Sequence, residues 1–210
     1  MAQIITVAQR KGGAGKTTLA AHLAVEGARR GRRVAALDID PQGSLTGWAE
    51  ARGSTDGVQL TCASVTGWRA ESEVRRLAAD HDIVIIDSPP HADTEAKIAV
   101  RAAALVLIPV QPSPMDVWAT EATLKLAKTE RKPVLMVLNR VPPRSKLTEQ
   151  IETMVGEMGA ELAATRIGNR TGFANAMLRG RAVVEEPRKT RAVEEIQQLA
   201  DEVLLRLPHA

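Results

Sequence analysis

Tyrosine is missing from this 210-residue sequence, phenylalanine occurs once and tryptophan three times. With aromatics at 2 %, Leu, Ile, Val, Ala and Met must fill the interior. The single cysteine, Cys62, excludes an intramolecular disulfide and a thiolate-rich metal site, which fits a reducing compartment. Long apolar runs are missing too. The longest, Ala102 to Val110, is about half a membrane span and contains Pro109. One short apolar run precedes Lys11 and a glycine cluster, so no secretory segment is expected and the sequence reads as cytoplasmic. No Ser/Pro linker, internal repeat or low-complexity tract divides it, and one domain over residues 1–210 is expected. What is present is a globular composition, 44 % apolar and 25 % charged, able to bury a substantial core.

The net charge is +3, a balance that permits association with nucleic acid or anionic lipid without requiring either. Its distribution is uneven. Between Leu162 and Arg191, seven basic residues (Arg166, Arg170, Arg179, Arg181, Arg188, Lys189, Arg191) face only Glu185 and Glu186. Hydrophobic patterning alternates along the chain. Ile4–Gln9 and Val34–Leu37 read as strands, and Ile83–Ile86, Leu105–Val110 and Val134–Leu138 as strands buried on both faces. Helical spacing marks Lys16–Arg30, Glu71–Asp80 and Met115–Lys128, and again Leu147–Met158 and Val193–Leu207. Between residues 43 and 57 four glycines suggest a loose region, followed by a possible strand at Val58–Cys62. The alternation predicts an α/β fold, a mostly parallel central sheet with helices on both faces.

Lys11-Gly12-Gly13-Ala14-Gly15-Lys16-Thr17-Thr18 falls between the first strand and the first helix. Phosphates need close approach to backbone N–H groups, so glycine is required where a Cβ would obstruct, and a helix N-terminus adds positive potential. In such a loop Lys16 reaches the terminal phosphates and the Thr17 hydroxyl ligates Mg²⁺. The ordinary phosphate-loop pattern requires glycine at position 10, where this sequence has Arg10, and a second lysine, Lys11, stands five residues before the first. The motif resembles the deviant Walker A box of the ParA/MinD family of P-loop ATPases. The resemblance implies ATP and Mg²⁺ as ligands, and a nucleotide-sandwich homodimer in which Lys11 reaches the partner's phosphates.

The acidic strand ends fit the same picture. Asp40, before Pro41, resembles the family's switch I aspartate, which positions the attacking water near the metal; Asp38 reads as capping or structural. Ile83-Val84-Ile85-Ile86-Asp87 resembles Walker B, with Asp87 holding Mg²⁺ through a water. Ser88-Pro89-Pro90 resembles switch II, except that His91 replaces the family's glycine. Asn139, closing the strand Val134–Leu138, is implied to read the adenine edge, and Ile108–Pro114 resembles the proline-rich turn near the nucleotide and dimer face. The catalytic set is thus Lys11, Lys16 and Asp40, with Thr17, Asp40 and Asp87 at the metal.

Within the family several functions are excluded. An iron–sulfur reductase needs two ligating cysteines per subunit, a tyrosine autokinase needs tyrosines, and a fused two-domain anion pump needs a longer chain. Membrane positioning needs a basic terminal amphipathic helix, whereas Glu194, Glu195, Asp201 and Glu202 lie on the polar side of the last one. No helix-turn-helix is expected ahead of the phosphate loop. The expected function is an ATP-dependent dimerising switch that binds DNA non-specifically and partitions or positions a cargo through a ParB-like or centromere-binding adaptor, nucleoid-associated when ATP-bound. Arg166, Arg170, Arg179, Arg188, Lys189 and Arg191 are the candidate DNA contacts. A metabolic ATP-dependent ligase or kinase on the same fold and a MinD-like membrane regulator are the alternatives.

Overall fold

The computed structural model describes residues 2–53, 56–90, 93–144 and 146–208, the Asp93 side chain excepted. Seven parallel strands form one sheet in the order β3-β2-β4-β1-β5-β6-β7. They are β1 (Gln3–Val7), β2 (Val34–Asp38), β3 (Thr61–Ser64), β4 (Ile83–Asp87), β5 (Leu105–Val110), β6 (Val134–Leu138) and β7 (Glu161–Leu162). Every residue of β2, β4 and β5 is buried, as expected of apolar strands covered on both faces. The edges β3 and β7 are short, polar and largely exposed, which limits edge-to-edge pairing with another chain.

Alternation along each strand divides the core. Ile83 and Ile85 of β4 point to the face covered by α1 (Lys16–Arg29), α2 (Ser44–Arg52), α7 (Thr171–Leu178) and α8 (Arg191–Arg206). Val84 and Ile86 point to the opposite face, covered by α3 (Ala70–Asp80) and α4 (Asp93–Ala102). On that face α5 (Pro114–Thr129) and α6 (Lys146–Glu157) cover β5 and β6. Helix α8 buries Val193, Ile196, Leu199, Ala200 and Val203 against the sheet layer. Its acidic side is engaged within the chain: Glu195 pairs with Arg170, Asp201 with Arg30, and Glu202 accepts N–H bonds from Ala164 and Thr165. No described helix is long and apolar enough to cross a membrane.

Two expectations are corrected. The glycine-containing stretch after residue 43 is largely helix α2, because Gly43 enters it in the left-handed conformation (φ 65°) and Asp38 accepts both N–H and Oγ–H bonds from Thr46. Trp48 then buries its ring and donates to the Arg181 carbonyl at 3.2 Å. The strand expected at Val58–Cys62 is displaced to Thr61–Ser64, where it pairs with Ala35–Asp38. Helices α4 and α7 lie in segments that periodicity left unassigned.

The far end of α2 is anchored by a buried ion pair, Arg52 with Glu185, at 2.7 Å and 7 % and 6 % side-chain exposure. Arg52 also donates to the Gly180 and Val58 carbonyls and stacks over the Trp48 ring. Burial opposes ionisation of Glu185, but bonds from Arg52, Ala182 N–H and Val58 N–H hold its pKa below the usual value. Removing one partner leaves a buried charge uncompensated, so Arg52→Met is expected to cost about 3 kcal/mol in urea unfolding. Arg52→Met/Glu185→Gln should recover part of that loss. An unchanged midpoint for Arg52→Met would show that the pair contributes nothing to holding α2.

Candidate active site

The parallel register sets the site. Val7 of β1, Asp87 of β4 and Asp38 of β2 are aligned neighbours at the carboxyl end of the sheet. Ligands of open α/β sheets bind in the crevice beyond these ends. The loop leaving β1 there turns through Gly13 (φ 75°) and Gly15 (φ 93°) into α1. A Cβ on Gly15 would overlap the Asn139 side-chain amide, so glycine is required by space as well as by φ. Helix α1 begins with no side-chain cap and no acidic residue in its first turn, which leaves its N–H groups and positive dipole end for an anion. The loop carbonyls are held by strand-end amides: Asn139 donates to Ala14 O at 2.7 Å and Gln111 to Gly13 O at 3.0 Å.

Three charged groups converge on this loop. Thr17 donates to Asp87 at 2.6 Å. The second Asp87 oxygen is buried with no hydrogen-bond partner. Burial, reinforced by Asp38 and Asp40, pushes the Asp87 pKa up to about 7, against the Thr17 bond and Lys16. Lys16 is 7 % exposed, and burial lowers its pKa against the attraction of Asp87 and Asp40. Asp40 therefore acts on the same crevice, while one of its oxygens accepts the Gln42 N–H at 2.9 Å. Asp38 is fully buried and saturated by Asp40 N–H and Thr46, a structural role. A hard divalent cation fits the orphaned Asp87 oxygen and the Thr17 hydroxyl by donor chemistry.

Lys11 is bound within its own chain, its ammonium 2.5 Å from the buried Asp116 on the first turn of α5. Gln9 extends this link by donating to Thr120 at 2.9 Å, and Arg10 N–H donates to Thr123. Gln9, Asp116 and the two threonines carry no motif of their own in the sequence, whereas Gln111 falls within the Ile108–Pro114 turn. The signal available was position, since Gln111 and Asp116 flank the Pro112–Pro114 turn at a strand end. Asn139 is 4 % exposed and uses its oxygen on Arg140 N–H, whose residue adopts the left-handed conformation (φ 54°). In this arrangement the Asn139 amide is engaged with the loop, the physical reason it cannot at once present all its polar atoms to a base.

Beside the loop lies a cavity of about 340 Å³ whose wall includes Gly15, Asn139, Gly168, Arg170 and Phe173. Arg170 lines this cavity and pairs with Glu195 at 2.5 Å. Arg166 pairs with Glu152 and Arg179 with Glu186. Arg188, Lys189 and Arg191 remain exposed with no ion pair among the described residues. His91 lies outside the described residues.

Residues 5–183 match the family model of the CobQ/CobB/MinD/ParA nucleotide binding domain. The chain belongs to this family. A protein of Halothiobacillus neapolitanus named maintenance of carboxysome distribution protein A is 31 % identical over 95 % of both chains. Two solved structures share the fold. The Cyanothece McdA(D38A)–ATP complex superposes with a TM-score of 0.82 at 18 % identity, covering 100 % of this chain and 98 % of that one. The septum site-determining protein MinD of Pyrococcus horikoshii, solved with Mg-ADP, gives 0.78 at 20 % identity over 97 % and 96 %. The parallel sheet and flanking helices expected from the sequence are those of this family.

Behind the cavity, His22 of α1 is fully buried, with Nδ1 2.7 Å from Thr18 O and its ring edge-on to Phe173 at 5.2 Å. Burial lowers its pKa from 6.5 to about 4, against Thr18 O and Glu185. The unfolded chain therefore binds a proton near pH 6.5 and the native protein only near pH 4, so this contribution to stability falls as the pH drops through that window. The loss reaches up to about 3 kcal/mol at pH 4. Thermal melts of His22→Leu between pH 7 and 4 should show a shallower decline than the parent; equal slopes would place the acid sensitivity elsewhere.

Proposed function

We propose that this chain is a slow Mg²⁺-dependent ATPase that dimerises on ATP and uses the dimer to hold a cargo on DNA. The observation that carries the nucleotide chemistry is the convergence of Lys16, Asp40 and Asp87 on one glycine loop, with Thr17 already donating to Asp87. Mg²⁺, when bound, would be held by the Thr17 hydroxyl and Asp87 and would neutralise phosphate charge. Loop N–H groups and the start of α1 orient the phosphates, Lys16 adds a buried positive charge, and Asp40 holds the attacking water. The 340 Å³ cavity next to Asn139 suits the adenosine portion. The whole chain reads as one such domain.

Dimerisation is supported by Lys11. It is 37 % exposed at the loop, and among the described residues its ion-pair partner is Asp116. Docking a second subunit would offer it phosphate charge in trans, which links nucleotide state to assembly. Asp40→Ala should lose hydrolysis while retaining ATP, and light scattering should give dimer with ATP and monomer with ADP. Lys11→Ala in that background should stay monomeric with ATP. Parental turnover in Asp40→Ala, or an unimpaired Lys11→Ala dimer, would overturn the respective assignment.

Arg188, Lys189 and Arg191, unpaired among the described residues, precede and open α8, and they suit phosphate contacts made without base stacking. Positioning a cargo on nucleoid DNA through an adaptor in the cytoplasm is consistent with the carboxysome-distribution relative. Three such cations from each of two subunits would neutralise about six phosphates, giving a log–log salt slope of about −5. Anisotropy with unrelated duplexes should show this slope with ATP and weak binding with ADP. Arg188→Ala/Lys189→Ala/Arg191→Ala should abolish it, whereas the ion-paired Arg166→Ala should retain most of it. Equal affinity with ADP, or preference for one sequence, would favour a metabolic ligase reading instead.

A further inference from the structure

Outside the nucleotide crevice, an exposed apolar groove lies between α5 and α6. Trp118 is 59 % exposed, and with Leu124 of α5 and Met154 and Met158 of α6 and its end it lines a groove of about 450 Å³. The chain has only three tryptophans and places Trp48 in the core, so the exposure of Trp118 is not a shortage of interior space. Aromatic and methionine side chains are enriched at the centres of protein interfaces, and methionine adapts its shape to an incoming surface. Met115, one turn before Trp118, is 62 % exposed, and Leu147 at the start of α6 is 43 % exposed.

Charge decides what fits. Glu121 and Glu157 also line the groove, and neither has an ion-pair partner among the described residues. Glu130 is neutralised by Arg101 and Lys97 and Glu152 by Arg166, whereas Glu149 of α6 also has no ion pair among the described residues but does not line the groove. The cations of these helices, Lys125, Lys128 and Lys146, do not line the groove. A groove-to-groove contact between two copies would bring four unpaired carboxylates together, and an anionic surface would meet the same two, so the lining disfavours both.

We propose that the α5–α6 groove is the docking site for a helical cationic segment of another protein. Its apolar side chains enter between Trp118 and the two methionines, and its flanking Lys or Arg side chains meet Glu121 and Glu157. An apolar groove between two helices can accept an amphipathic helix laid along it, anchored at i, i+3 or i+4, and i+7. The site does not depend on the nucleotide reading. It shares only α5 with that machinery, whose opposite side carries Asp116, Thr120 and Thr123.

The test uses the full chain without nucleotide and three synthetic helical peptides of about 14 residues. One carries a Leu/Met face flanked by Lys and Arg, one has those cations replaced by Glu, and one has the apolar face replaced by Ser. Labelled-peptide anisotropy, with tryptophan emission in parallel, should show binding of the first peptide alone. Its affinity should weaken as salt rises from about 50 to 300 mM. Glu121→Lys/Glu157→Lys should lower that affinity about tenfold or more, and Trp118→Ala should lower it and remove most of the emission change. Both variants alter exposed side chains and should retain the parental circular dichroism melt and ATP turnover. Equal binding of the Lys/Arg and Glu peptides, or cationic-peptide binding unaffected by both variants, would overturn the proposal. So would nucleotide-free self-association that Trp118→Ala abolishes, which would assign the groove to a second copy. Loss of ATPase activity in the parent would bear on the nucleotide reading and leave the peptide result standing.

Discussion

The alignment of three strand ends governs the chemistry of this protein. Because β1 and β2 both flank β4 in register, Val7, Asp87 and Asp38 finish at one level. A one-residue slip would turn Asp87 to the other face of the sheet and separate it from Thr17. The register is held by the apolar alternation of β4, whose odd and even residues enter different cores. Packing on both faces therefore fixes the position of a carboxylate that packing alone would exclude.

That carboxylate is costly. Asp87 is buried beside Asp38 and Asp40, with one oxygen unsatisfied. The neighbouring Lys16 and Thr17 offset part of the repulsion but leave the site short of positive charge. Binding of a cation together with an anionic ligand would relieve two opposite deficits at once, one at Asp87 and one at the N-terminus of α1. A site with this imbalance is weakly stabilising when empty and strongly selective for what fills it.

The same economy of partners runs through the outer layers. Of the cations between Leu162 and Arg191, Arg166, Arg170 and Arg179 are paired with acids, while Arg181, Arg188, Lys189 and Arg191 have no ion pair among the described residues, the last three immediately before and at the start of α8. Helix α2 joins these regions physically. Asp38 holds its first turn, while Arg52 and Trp48 tie the rest to Glu185 and Arg181, on the segment that leads into the free cations.

Much of this was legible in the sequence, for definite reasons. Apolar runs such as Ile83–Ile86 admit only a doubly covered strand, and Gly13, Gly15, Lys16 and Thr17 in that spacing admit few structures other than an anion-binding turn. Such features are local, and the periodicity of a few residues determines them. Helix α2 was not legible, because its stability comes from Asp38, Arg181 and Glu185, the last two of which are more than a hundred residues away. Nor could sequence tell Arg170 from Arg188: both are arginines in one basic stretch, and only folding brings Glu195 to the first and no acid among the described residues to the second. The sequence by itself determined the strand order's raw material, the phosphate loop and its acidic companions. Tertiary structure decided which charges are spent on one another, since pairing depends on distances that the chain acquires only when its helices pack.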